Sequence, residues 1–211
     1  MSNIALVESH YLPSLAYFAA IHHCPKIALD IDESYIKQTY RNRCYILGAN
    51  KIQALSVPVH RDSGKVPTRD VRIAYETHWQ NNHWRSLASA YGKTPYFDHF
   101  ADEFKDILYR PYRYLIDLNL ALLTKCLDLL QWEHDITYSE EDSLYLEKLS
   151  VYDYRRQILI PEIRFKNYKF RPIRYIQAFG KDFVPNLSVI DVLFCEGPQA
   201  SQIIKRSISE R

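Results

Sequence analysis

The chain has 211 residues, and at roughly 150 residues per domain a single domain spanning 1–211 is expected. Hydrophobic residues make 47% and charged residues 25%, while Gly and Pro together supply only 15 residues, so disordered, collagenous and linker-rich classes are excluded. A balance of 27 Lys and Arg against 25 Asp and Glu leaves a net charge of +2, which gives no general attraction to nucleic acid or to an anionic membrane.

Residues 3–7 (NIALV) are a short apolar run and predict a buried strand. Pro13 then opens a predicted helix over 14–23, which Cys24-Pro25 stops. Residues 26–31 (KIALDI) predict a second buried strand. Strand, helix and strand within about thirty residues favour a parallel pair with a right-handed crossover. The expected fold class is α/β: one domain with a small mixed or partly parallel sheet, starting with a β-α-β unit and flanked by helices. Ligands of such sheets lie beyond the carboxyl ends of the strands, here Ser9-His10-Tyr11 and residues 32–35.

Residues 35–46 are aromatic and basic, and Gly48-Ala49-Asn50 reads as a turn. Residues 52–59 and 71–75 predict two strands that could form a hairpin with a long loop, Pro58 pushing the first toward an edge. Three helices follow: one capped by Thr77 and closed by Gly92, one from Pro95, and one from Pro111. Residues 135–176 lack periodicity and predict loops with short strands or 3₁₀ pieces. Ser188 and Asp191 read as a capping-box variant for a helix over 188–194, and a last helix runs to about Ile208. The stretch 133–147 is acidic and 155–174 is basic. These read as solvated stretches, or the basic one as an anion-binding strip.

Four scattered cysteines without a CxxC pair predict reduced, mostly buried thiols. The opening residues show no leader pattern, and the longest apolar run is broken by Lys125 and Asp128, so a cytoplasmic protein without a membrane span is expected. No HExxH, CxxC, GxSxG, GxGxxG or P-loop pattern occurs, and no residue pattern names a metal or a cofactor.

Several groups can carry chemistry. His10 follows the first strand, where an imidazole can act as a base or hold a phosphate. Lys37, Arg41, Asn42 and Arg43 form the densest cluster of donors, suited to phosphate or carboxylate. Trp79 and His83, four apart on one helix, share a face and could pack on a sugar and move a proton. Each also has a bland reading as solvated charge or satisfied core. The basic 155–174 strip with its aromatics suggests nucleic-acid binding, against which the net charge speaks.

The stretches SHYLPSLAYF, YIKQTYRNRCYILG, LSVPV, VRIAYETHWQNNHWRSLASAYGKTPYF and YIQAFGKDFVPNLSVIDVLFCEGP together resemble the WbqC-like family. Its bacterial members are associated by name with O-antigen and surface-polysaccharide synthesis. The resemblance implies a transferase acting on a nucleotide-activated or carrier-linked sugar, or alternatively a non-catalytic binding or scaffold protein of a cell-envelope pathway. The chain departs from the family pattern at Ser9-His10 and at residues 14–16, which ranks His83 ahead of His10. The resulting expectation has His83 and His10 moving protons. Tyr11, Lys37, Arg41, Asn42, Arg43, Trp79 and Tyr91 would bind a small substrate bearing phosphate or carboxylate.

Overall fold

Two apolar runs joined by a helix set the fold. The computed structural model describes residues 3–60, 64–139, 150–158 and 170–207. In chain order these residues form β1 (Asn3–Glu8), α1 (Leu15–Ile21), β2 (Lys26–Asp30), β3 (Arg43–Leu47), β4 (Ile52–Ser56), α2 (Trp79–Tyr91), α3 (Phe97–Tyr109), α4 (Leu115–Leu129), β5 (Asp135–Ser139), β6 (Ser150–Asp153), α5 (Val189–Glu196) and α6 (Ala200–Arg206). The main sheet is parallel throughout, in the order β5-β2-β1-β6. The expected β1-α1-β2 unit is present, with Ile4 opposite Lys26 and Glu8 opposite Asp30. No helix among the described residues is long and apolar enough to cross a membrane.

Side chains alternate across a strand, so the two central strands feed two faces. Ala5, Val7, Ile27 and Leu29 join the main core with α1, α4 and α5. Ile4, Leu6 and Ala28 form a separate small cluster on the opposite face. The same alternation puts Glu8 and Asp30 on that second face, at its carboxyl end. All seven residues of α1 are buried, which marks it as a central core helix.

The structure corrects the sequence reading in several places. Residues 43–47, read only as aromatic and basic, are strand β3. Its tight turn, with Gly48 N–H donating to the Lys51 carbonyl at 3.0 Å, makes it the antiparallel partner of β4. The expected pairing of 52–59 with 71–75 is reduced to a Val59–Ile73 bridge, because Pro58 ends the ladder. The aperiodic region from 135 does supply the expected short strands, β5 and β6, edge strands too exposed to show an apolar period. Thr77 is not the N-cap of α2, and Ser188 holds the N-cap position of α5 without a side-chain cap bond: its Oγ donates to the Leu12 carbonyl at 2.9 Å, and Asp191 is held by tyrosines. Residues 140–147 and 159–169, most of the acidic and basic stretches, lie outside the described residues.

The loop between β1 and α1 is clamped from both sides. Tyr11 N–H donates to the Tyr40 carbonyl at 2.9 Å, and Val189 N–H to the Pro13 carbonyl at 2.9 Å. Leu12 holds a left-handed φ of 42°, a conformation that costs a leucine about 1–2 kcal/mol. The first turn of α1 lacks a side-chain cap of its own, and Asn186 Oδ1 accepts the Ala16 N–H at 2.9 Å in its place. Asn186 is itself left-handed, at φ 57°. Asn186→Ala removes the cap and adds backbone strain, and should cost about 1–3 kcal/mol. Asn186→Gly removes only the cap and should cost less. Urea denaturation of the two variants checks that order.

Candidate active site at the carboxyl end of the sheet

Acids close the central strands, and like charges side by side in a sheet repel. Glu8 faces Asp30 across β1 and β2, Ser139 lies beyond Asp30, and Asp153 sits opposite Leu6 on β6. Two arginines neutralise this row. Arg41 is completely buried, its Nε 2.7 Å from Glu33 Oε1 and its Nη2 2.5 Å from Glu33 Oε2. The same Nη2 lies 3.3 Å from Glu8 Oε1, and Nη1 donates to Thr39 Oγ1 at 3.2 Å. Arg155 reaches back across the sheet, donating to Asp30 Oδ2 at 2.7 Å and to Asp153 at 2.8 and 3.0 Å. Those bonds lower Asp153 and raise Arg155.

Glu8 is the unusual group. Only 1% of it is exposed, and burial pushes its carboxyl up to about 7, against the lowering effect of the Arg156 N–H and the Arg41 guanidinium. The Arg156 N–H donates to Glu8 Oε1 at 2.6 Å. Arg156 reaches that geometry with a left-handed φ of 61°.

Above this row lies a cleft of about 700 Å³, lined among others by Leu6, Asp30, Glu33, Tyr35, Lys65 and Arg156. A recess of about 310 Å³ shares Asp30, Glu33, Arg155 and Arg156 with it. The chain leaves β1 toward β2 and returns on the other side of β1 as β6. The crevice between β1 and β6 is therefore where the strand order reverses, the usual ligand position in open α/β sheets. A larger cavity of about 870 Å³ lies between the end of α2 and residues 176–179. Its walls are mostly small and apolar, and burial pushes its Cys195 thiol up to about 12, far from a reactive thiolate.

The residues singled out in the sequence do not converge on one site. His83 is buried, and its Nδ1 lies 2.8 Å from the Tyr11 hydroxyl. Burial pushes His83 down to about 4, opposed by the Ser56 carbonyl, and holds the Tyr11 phenol well above its usual range. Tyr11 therefore donates to a neutral imidazole. The Trp79 ring packs 5.1 Å away, so Tyr11, Trp79 and His83 form one sealed cluster. His10 is buried between Tyr17 and Tyr40, at ring separations of 4.9 and 5.6 Å. Burial, with Arg41 adding to it, pushes it down to about 3, and neither ring nitrogen has a hydrogen-bond partner among the described residues. Both imidazoles are neutral and closed off from solvent in this structure. Tyr91 donates to Asp191 Oδ1 at 2.9 Å inside the core. Asn42 donates to the Val57 carbonyl and Arg43 to Ser56 Oγ, while Lys37 is exposed. Of the donor cluster, only Arg41 joins the acids that close the strands. Glu8 and Asp30 are not singled out in the sequence, and Arg155 and Arg156 are read there only as part of the basic 155–174 stretch. An acid ending each apolar strand was the visible signal for the first two; the arginines follow a strand that has no periodic signature.

The WbqC-like protein family matches residues 8–158 and 160–203. The chain belongs to the WbqC-like family. The chain is also similar to the uncharacterised protein Rv1507c of Mycobacterium tuberculosis, 24% identical over 227 residues that cover 97% of this chain and 98% of that one. No solved structure matches this WbqC-like chain.

A carboxyl raised to about 7 binds a proton in the folded state that it has lost in the unfolded state between pH 4.5 and 7. Its contribution to stability therefore falls as pH rises through that window, by on the order of 3 kcal/mol. His10 and His83, lowered by burial, act in the opposite sense below their ordinary value of 6.5. The readout is accordingly the difference between wild type and Glu8→Gln. Denaturation from pH 4.5 to 8 should show Glu8→Gln gaining on wild type as pH rises, and parallel curves would contradict the burial of an ionisable Glu8.

Proposed function

We propose that this protein is a transferase of surface-polysaccharide synthesis that acts on a nucleotide-activated or carrier-linked sugar in the cleft at the carboxyl end of the sheet. The observation that carries this reading is the cleft of about 700 Å³ at the carboxyl end of the parallel sheet, with Asp30, Glu33, Tyr35 and Arg156 in its lining. The family resemblance supplies the sugar. In the transfer, an acceptor hydroxyl oxygen bonds to the anomeric carbon and the bond to the leaving phosphate breaks. The phosphate departs with the electron pair and takes up the hydroxyl proton, while Glu8, 1% exposed and outside the lining of the cleft, stays behind it. Arg41 positions Glu8 and does not touch the substrate.

A second reading, a non-catalytic binding protein of a cell-envelope pathway, is favoured by the sealed pairing of His83 with Tyr11 and of Arg41 with Glu8 and Glu33. A thermal-shift panel of nucleotide sugars, nucleotides and simple phosphates tests the first. A ligand at 100 times its Kd adds about 2.7 kcal/mol, or several degrees for a chain this long. The panel should give a selective nucleotide-sugar hit that Ser139→Trp, which fills the cleft from β5, abolishes. A hit unaffected by that substitution, or none at all, contradicts the placement. Binding without release of nucleoside phosphate when acceptor glycans are added favours the binding protein.

A further inference from the structure

The cleft has an uneven supply of free hydrogen-bonding groups. Its carboxylates are already engaged. Asp30 accepts from Arg155 and from the Glu33 N–H, Asp32 pairs with Arg69, and Glu33 pairs with Arg41. Three donors are not engaged. Lys65 and Arg156 line the cleft, and neither side chain has a hydrogen bond or ion pair among the described residues. Tyr35 also lines it, and its buried hydroxyl has no hydrogen-bond partner among the described residues. Burial holds that phenol up at about 12, so it keeps its proton and remains a donor. A cleft whose acceptors are occupied and whose donors are open selects a ligand rich in acceptors and negative charge.

The backbone points the same way. A left-handed arginine costs about 1 kcal/mol or more, and glycine would hold the same turn without that cost. The bond from the Arg156 N–H to Glu8 needs no side chain. The guanidinium makes no hydrogen bond or ion pair among the described residues; its field helps to hold the Asp153 carboxyl down, and it stands beside the cleft.

We propose that Lys65, Arg156 and Tyr35 form an anion subsite that holds the phosphate of the substrate in this cleft. The inference deepens the transferase reading and rests on its placing of the substrate there. A phosphate offers three acceptor oxygens. One meets the guanidinium of Arg156, one the ammonium of Lys65 and one the phenol of Tyr35. This places the leaving group of the transfer at the β2 and β6 ends of the sheet, next to Glu8.

Isothermal titration of the full chain with sodium pyrophosphate, uridine diphosphate and geranyl diphosphate tests the subsite. Pyrophosphate should bind. Lys65→Ala and Arg156→Gly should each weaken binding by about tenfold or more, the size of one charge-assisted contact. Arg156→Gly keeps the N–H on Glu8 and relieves the left-handed backbone, so its melting temperature should not fall. Arg110→Ala, on the surface away from the cleft, should bind as wild type does. Tighter binding of uridine diphosphate than of geranyl diphosphate assigns the phosphate to a nucleotide, and the reverse order assigns it to a lipid carrier. No binding by any of the three, or equal binding in wild type and both cleft variants, overturns the subsite. A nucleotide-sugar hit that Ser139→Trp blocks but Lys65→Ala and Arg156→Gly leave unchanged overturns the subsite alone and leaves the transferase reading standing.

Discussion

A guanidinium with no exposed surface must be paired, and Arg41 is paired with two carboxylates from two different strand ends. Glu8 closes β1 and Glu33 follows β2, so one side chain ties the carboxyl ends of both central strands. Removing a charge from water offsets most of the attraction that such a pair gains, and its net contribution to stability is small. Its effect is on position. With Arg41 gone, two acids would stand unpaired at the sheet end, a loss on the order of 3–5 kcal/mol, and the row of acids would have no fixed centre.

The rest of the site follows from that row. Parallel strands in register bring Glu8, Asp30 and Ser139 to one level, with Asp153 one step behind on the same face. Arg155 neutralises Asp30 and Asp153 from the far edge. Glu8, shared between Arg41 and a backbone N–H and shut off from water, is left with a carboxyl near neutrality. The second face of the sheet therefore grades from apolar at Ile4 and Ala28 to charged at its carboxyl end, and the cleft opens at that end. The clamps on the loop between β1 and α1, from Tyr40, Ser188 and Asn186, hold the start of the site against the core.

Much of this was legible in the residues. The apolar runs NIALV and KIALD around an apolar helix gave the parallel pair, because buried central strands carry no polar alternation. The three long helices followed from their period and their prolines. Short strands were expected from 135 onward, but the bounds and pairing of the edge strands β5 and β6 were hidden, since their exposure leaves no apolar pattern to read. The site was harder. Arg41 was singled out for its charge, yet a sequence cannot show that its partners are Glu8 and Glu33, 33 and 8 residues away. His83 and His10 drew attention as the residues that titrate near neutrality, but their ionisation depends on burial, which only packing decides. A carboxylate, whose ordinary range is acidic, was brought to the neutral range by the same force that took those histidines out of it.

The most direct measurement is a carbon-13 NMR titration of the Glu8 carboxyl in the intact protein, assigned by its loss in Glu8→Gln. The account predicts a midpoint near pH 7, well above the ordinary glutamate value of 4.5. A midpoint at or below 4.5 would contradict it, and would mean that Glu8 is either open to water or held fully ionised by Arg41.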